Sequence, residues 1–258
     1  MSRPQPRAGA LARALAFQES IARGSAQTLV AVEGGFAVLD DRYAASYEHN
    51  QVYVTGPVPA GALLAETERA LRGRRHRQIT VLNDALGRSL APALHAAGYE
   101  QEQLVVMTLA GAPSGAAAAG VQVERVPLER LREAVEQSWA QQYPAMSEMA
   151  RRQLFERRSA TAAACELSSH AVRAEGAVVS WCHLYRVDGE AQVESVNTLV
   201  GWRGRGFARA VVLDATAAAL EGGCDLVFLV ALRDDWPRHF YARLGFVPAG
   251  VQHSFLRA

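Results

Sequence analysis

The sequence predicts a mixed α/β fold built twice in tandem, and three observations carry that expectation. First, two stretches match each other in an ungapped register of 147 residues. Ile79-Thr-Val-Leu82 and Leu226-Val-Phe-Leu-Val230 are apolar, β-branched runs, each followed by a helical stretch ending in a glycine and an aromatic, Gly98-Tyr99 and Gly245-Phe246. Self-similarity at a fixed spacing is the mark of a duplicated unit. Each copy reads strand, loop, helix, left-handed glycine, strand. Second, Gly111 to Gly120 is small, uncharged and without amphipathic period, as a linker is. Third, strand and helix patterns alternate, which argues for a mixed central sheet flanked by helices in each half. The expected organisation is a domain over 1–110, a linker over 111–122 and a second domain over 123–258.

Taken in order, Leu11, Leu15, Phe17 and Ile21 recur near helical spacing. An amphipathic first helix therefore explains the arginine- and alanine-rich N-terminus better than a transit peptide. Gln103 to Leu109 reads as the last strand of the first half. In the second half, Leu128 to Gln141 and Ser147 to Thr161 read as helices, the latter N-capped by Ser147. Ala171 to Ala174, Val178 to Tyr185 and Ala191 to Val200 read as strands. Turns at Glu175-Gly176 and Asp188-Gly189 join them, the Asp-Gly pair being a strong hairpin signal. Phe207 to Glu221 reads as a helix closed by Gly222-Gly223, and a short last strand is expected near Gln252 to Leu256.

Composition narrows the function classes. The 258 residues are 50% hydrophobic and 21% charged with a net charge of +1. No global field recruits nucleic acid or an acidic membrane surface. No run approaches the ~20 apolar residues of a membrane span, so a soluble, cytoplasmic protein is expected. Every basic residue is arginine, and with abundant alanine this points to a GC-rich, bacterial-like genome. The one basic cluster, Arg72 to Arg77, follows a helix and reads as a solvated loop. Cys165, Cys182 and Cys224 are odd in number, widely spaced and without a metal-ligand pattern. They read as reduced core thiols, a catalytic thiol being the alternative. No metal is implied.

The most informative segment is Leu199-Val200-Gly201-Trp202-Arg203-Gly204-Arg205-Gly206-Phe207-Ala208. A strand enters a glycine-containing turn that opens a helix. Glycines let backbone approach a ligand, and the first helical N–H groups are unpaired donors on the positive end of the dipole. Such a turn suits a pyrophosphate, with Arg203 and Arg205 adding charge. A Walker loop is excluded by the missing lysine, and Arg209 stands where a dinucleotide fingerprint needs its third glycine. Arg203, Gly206 and Ala208 fit the pattern Gln/Arg-x-x-Gly-x-Gly/Ala, and Tyr241, Leu244, Gly245 and Phe246 follow as Tyr-x-x-Leu-Gly-Phe. In these motifs the chain resembles the GNAT superfamily of N-acetyltransferases over roughly Val123 to Ala258.

The resemblance implies a tandem acyl-CoA N-acyltransferase-like fold and acetyl transfer from acetyl-CoA to a primary amine in a ternary complex. It implies acetyl-CoA contacts at Thr198, Leu199, Val200, Arg203 to Ala208 and Asp234. Val200 replaces a frequent proline and Asp234 a frequent asparagine, which leaves side-chain contacts to the CoA arm open at Asp234. Backbone N–H groups near Thr198 and Leu199 would hold the oxyanion. Glu194 takes the place of the general base and Tyr241 that of the acid toward the CoA sulfur. Strict alternation sets Gln192, Glu194 and Val196 on one sheet face, and a surface carboxylate is the bland alternative for Glu194. Trp139, Tyr143, Met146 and Met149 fall where the family forms its acceptor wall, though core packing explains them equally. His183 reads as a neutral core histidine. In the 147-residue register Gly56, Pro59 and Leu94 replace Arg203, Gly206 and Tyr241, so the first half reads as a degenerate, non-catalytic copy. The partner expected is a small-molecule or peptide amine, with homodimerisation allowed and neither nucleic acid nor membrane involved. A non-catalytic CoA-binding sensor or interaction protein that keeps the fold is the alternative.

Overall fold

A computed structural model describes residues 9–116, 118 and 120–258. Met1 to Ala8 of the N-terminal stretch and linker positions Ala117 and Ala119 lie outside the described residues. The amphipathic stretch forms α1 (Ala10–Ser25), which seats Phe17 edge-on against Phe228 with ring centroids 5.3 Å apart. The first half continues through β1 (Thr28–Val32), β2 (Gly35–Leu39), β3 (Gln51–Val54) and α2 (Ala60–Ala70). These four elements precede the segment in which the repeat shows most plainly. The repeat itself forms β4 (Arg77–Val81), α3 (Asp84–Ala96) and β5 (Glu100–Leu109). Asn83 caps α3 by accepting from the Leu86 N–H at 2.9 Å, and Gly98 turns out of it at φ 84°.

The second half opens with a three-residue strand, β6 (Glu124–Val126), and α4 (Arg132–Gln142) after one 3₁₀ turn. Ser147 caps the next helix as expected, accepting from the Ala150 N–H at 3.2 Å. That helix does not run unbroken to Thr161. It divides at Arg157 into α5 (Glu148–Glu156) and α6 (Arg158–Ala164), and the break turns Arg157 toward Glu48 and Arg158 toward His183. The meander β7 (Glu166–Ala174), β8 (Ala177–Val187), β9 (Glu190–Thr198) follows. Its two turns place Glu175, Gly176, Asp188 and Gly189 at positive φ, the backbone of tight two-residue hairpins. Then come α7 (Phe207–Glu221), β10 (Leu226–Leu232), α8 (Pro237–Arg243) and β11 (Phe246–Arg257). The last strand is twelve residues long, not short, because it is paired along both edges.

The described strands form one mixed sheet in the order β1-β2-β3-β4-β11-β5-β10-β9-β8-β7-β6. Each half runs an antiparallel meander into one parallel pair, β3–β4 or β9–β10, spanned by α2 or α7. The final strands are exchanged. β11, from the C-terminus, pairs with β4 of the first half, and β5, from the first half, pairs with β10 of the second. The exchanged strands also pair with each other, antiparallel, with Val105 opposite Val251 and Leu104 opposite Gln252. The cores follow the exchange: Phe255 is buried among Val52, Ile79 and Leu94, whereas Val105, Met107 and Leu109 are buried with α7, β9 and β10. No helix among the described residues is long and apolar enough to cross a membrane.

Phe255 ties the far C-terminus to the first-half core, so Phe255→Ala is expected to cost about 3–5 kcal/mol. Because the sheet is continuous, denaturant unfolding of this variant followed by tryptophan fluorescence and by circular dichroism should stay a single shared transition at lower midpoint. Two separated transitions would contradict a core common to both halves.

Candidate active site

The glycine-rich turn is a cradle of backbone N–H groups. A 3₁₀ turn at Val200–Trp202 leads to Arg203, then Gly204 at φ 77° and Gly206 at φ 81°, and α7 begins at Phe207. Side chains other than glycine rarely hold that backbone. No side chain caps α7, and its first backbone bond runs from the Ala210 N–H to the Gly206 carbonyl at 3.1 Å. The N–H groups of Phe207, Ala208 and Arg209 are therefore left for a ligand. Arg203 does not reach outward through Nε, which donates to the Thr198 carbonyl at 3.1 Å and pins the turn to the end of β9. Arg205 lies over the Trp202 ring at 4.5 Å, and Trp202 in turn meets Phe207 at 6.2 Å. Val200 is exposed beside the turn. Linker residue Ala118 packs close to Gly206, and the Ser114 N–H donates to the Leu244 carbonyl at 2.9 Å, so the linker runs along this edge of the site.

Ahead of the turn, the sheet opens. β9 pairs with β10 only from Glu190 to Gln192, after which the two strands part. Across β9's other edge, pairing with β8 persists to Thr198 but slips between Trp181 and His183. Ser195, at φ 54°, sits in that bulge. The bulge corrects the alternation expected from sequence. Gln192 and Glu194 share a face, but Val196 is turned to the opposite face and packs into the core with Val193 and Ala191. A second correction concerns the oxyanion donors. The Leu199 N–H donates to the Val179 carbonyl at 2.9 Å, so it is already used. Successive N–H groups on a strand point to opposite edges, which leaves the Thr198 N–H on the open side toward β10.

Glu194 is held by the Gln192 Nε2 at 2.7 Å and by the Ser195 N–H at 3.0 Å. Burial, and next the negative charge of Glu48, push its carboxyl above the ordinary carboxylate range. Glu48 belongs to the first half and is hydrogen-bonded to Arg157. Burial works against its ionisation, but the Arg157 charge outweighs that and holds Glu48 below its ordinary value. Tyr241, on α8, is nearly buried; burial and then the charge of Glu194 push its phenol up, so it stays protonated at neutral pH. Among the described residues its hydroxyl has no hydrogen-bond partner. Glu194 lies on the wall of a cavity of about 480 Å³ between the sheet and α1, and both halves contribute to its lining.

Other expected residues fall elsewhere. Trp139 packs with Leu131, Phe155 and Trp181, under Arg158 at 5.4 Å, and Tyr143 is exposed at the end of α4; neither borders the cavity of Glu194. Asp234 is exposed in the loop after β10. His183 is buried between Ser169 Oγ at 3.0 Å and Arg158 Nε at 3.1 Å, which fits a neutral core histidine held well below its ordinary pKa by burial. All three cysteines are free thiols, and burial raises each of them, Cys165 to about 11, which disfavours a thiolate nucleophile. Sequence reasoning missed Glu48, Arg157 and, apart from Gln192, the glutamines of the cavity, because no local pattern joins residues so far apart in the chain. In the first half Pro59, lacking an N–H, stands at the cap of α2 where Gly206 caps α7, and Leu94 is fully buried where the second half has Tyr241. Among the described residues no group of His, Cys, Asp and Glu could hold a metal ion.

Residues 130–246 match the family of acetyltransferases named GNAT. No curated protein matches the chain significantly. Solved structures share its fold at low identity. A GCN5-related N-acetyltransferase from Kribbella flavida is 20% identical with a TM-score of 0.67, over 95% of this chain and 94% of that one. A functionally unknown conserved protein from Staphylococcus epidermidis is 12% identical with a TM-score of 0.68, over 89% and 93%. A tandem GNAT protein from the clavulanic acid biosynthesis pathway is 13% identical with a TM-score of 0.53, over 97% and 95%.

The raised Glu194 carboxyl has a consequence for stability. The unfolded chain ionises this group near ~4.3, the folded chain only at higher pH. Its folded form is thus favoured below the unfolded pKa, and that contribution is lost as pH rises through the folded one. Glu194→Gln should therefore leave the unfolding midpoint unchanged at pH 4 and raise it at pH 8, read by thermal denaturation. A lower midpoint at pH 8 would show that the carboxylate is stabilised where it lies.

Proposed function

We propose, from the match of residues 130–246 to the GNAT acetyltransferase family, that the chain transfers an acetyl group from acetyl-CoA to a primary amine by direct attack in a ternary complex. The single observation that carries this reading is the juxtaposition of the cradle at Gly204–Ala208 with the gap between β9 and β10. A pyrophosphate on the free N–H groups of α7 leaves the gap as the path for the pantetheine arm, with the Thr198 N–H on its edge. Val200, Arg203, Arg205 and Phe207 frame the turn, and Asp234 stands at the far side of the gap.

The chemistry follows from the two perturbed groups. An amine of pKa ~10.4 is free of its proton in only about one part in 10³ to 10⁴ at neutral pH. Glu194, with its raised pKa, is a stronger base than an ordinary carboxylate and takes a proton from the ammonium. The nitrogen lone pair attacks the thioester carbonyl carbon, and the Thr198 N–H donates to the developing oxyanion. As the C–N bond forms and the C–S bond breaks, the thiolate takes the Tyr241 phenol proton. The surplus proton on nitrogen then returns through water to Tyr241, and Glu194 gives its own proton up to solvent. The partner is a small-molecule or peptide amine, and no metal takes part in these steps.

Two substitutions test the assignment. Gly206→Ala places a Cβ at φ 81°, close to Ala118, at a cost of roughly 1–2 kcal/mol. Acetyl-CoA affinity by titration calorimetry should fall about tenfold or more. Tyr241→Phe should keep that affinity and slow CoA release to an amine acceptor by roughly 10²–10⁴. Absence of acetyl-CoA binding by the unaltered chain would sink the proposal, and binding without CoA release to any amine would support a sensor instead.

A further inference from the structure

The cavity beside Glu194 has two walls of different origin. One is β9, with Gln192 and Glu194; the other is the face that β5, β11 and β4 turn toward α1. Alternation places Glu100 and Glu102 on that face together with Leu104. Glu102 stands opposite Ser254, and Ser254 opposite Thr80, so the wall is continuous from the exchanged strands into the first half.

The charge of the lining is one-sided. Glu48, Glu100, Glu102 and Glu194 face one guanidinium, that of Arg157, which is already bonded to Glu48. Among the described residues neither Glu100 nor Glu102 has an ion pair or side-chain hydrogen bond. Two further polar atoms of the lining, His49 Nε2 and Gln252 Oε1, are without partners on side chains that are only 4% and 5% exposed. An unpartnered buried polar atom costs about 1–3 kcal/mol, and both of these belong to side chains that border the cavity. Unpaired carboxylates in a cleft also concentrate cations.

Register gives the spacing. Gln192, where the pairing of β9 with β10 ends, is level with Phe228 and so with Thr108; Glu194, two residues further along β9, is offset from Glu102 by about four residues along the β5 direction. At ~3.3 Å per residue and ~4.8 Å per strand, the two backbones lie roughly 16 Å apart. A short monoamine held at Glu194 leaves the far carboxylates unmet.

We propose that this cavity is the acceptor site and that the acceptor is a linear polycationic amine, its reacting nitrogen at Glu194 and a second ammonium held by Glu100 and Glu102. The first half would then be the specificity wall of the second half's active centre. The substrate class rests on the reading of Glu194 as base, but the cation site does not.

The test compares a long-chain diamine with an amino alcohol of equal length, in which a hydroxyl replaces the second ammonium. Calorimetric titration of the full chain should show the diamine binding at least tenfold tighter at low salt, with the ratio falling at 0.5 M NaCl. Glu100→Gln with Glu102→Gln should bring the ratio toward one; both side chains are exposed, and a thermal melt checks that the fold is kept. Equal affinities in the unaltered chain, or a ratio that survives the double variant, would overturn the proposal. Selective binding without CoA release would keep the cation site and reject Glu194 as base. Turnover of both amines at equal KM would keep acetyl transfer and reject the polycationic acceptor.

Discussion

The pairing of β5 with β11 is the constraint on which the rest of the molecule depends. Leu104 faces Gln252 and Val105 faces Val251. In the 147-residue register Leu104 corresponds to Val251 and Val105 to Gln252, so the contact is the same seen from either half. That is the pattern of an isologous interface, here within one chain. Each strand leaves its own half, completes the other's sheet, and carries its apolar residues into the other's core. Neither half then has its own last strand, and the parallel pairs β3–β4 and β9–β10 are finished by borrowed neighbours.

The exchange also decides what Glu194 faces. Were each half closed by its own final strand, the polar face of β5 would belong to the first half alone. Because β5 is paired to β10, its carboxylates and the glutamines of β4 and β11 continue the same face as Gln192 and Glu194. The same proximity brings Glu48 close enough to act on Glu194, with Arg157 moderating the repulsion. A carboxylate with its pKa raised by burial and by a like charge is stored unfavourable energy, which is the usual cost of a competent base. In the proposed reaction it is spent at the position where a proton is taken up.

Much of this was legible in the sequence, and the illegible part has a physical cause. Asp188-Gly189 and Gly204-x-Gly206 announce their backbone because few residues tolerate positive φ, and Ser147 announces a cap because its hydroxyl meets a free N–H. Strand exchange leaves no such trace. An alternating strand such as Gln103 to Leu109 has the same period whichever neighbour it finds, so the apolar pattern fixes which face is buried and not which partner lies beside it. The bulge at Ser195 is equally silent, since serine is not a residue that positive φ demands; it turned Val196 into the core and kept Glu194 in the cavity. The Leu199 N–H was lost to Val179 for a reason of the same kind, a strand edge that only the three-dimensional register decides.

The two halves show how a duplicated fold can divide labour. In the proposed site Gly206 starts α7 from φ 81°, a backbone that Pro59, at φ −64°, does not adopt at the start of α2. Proton transfer needs a hydroxyl, and Leu94 fills with hydrocarbon the position that Tyr241 holds. The second change favours packing: Leu94 lies fully inside the core that also receives Phe255. On the proposed reading the first half holds no cofactor, and it supplies a frame for β11 and a polar face at the cavity. Selection on that face would act on charge and hydrogen-bonding capacity rather than on motif. On the proposed reading this is how Glu48, Gln51, Gln78 and Glu102 shape the active centre while Pro59 stands where the second half has Gly206.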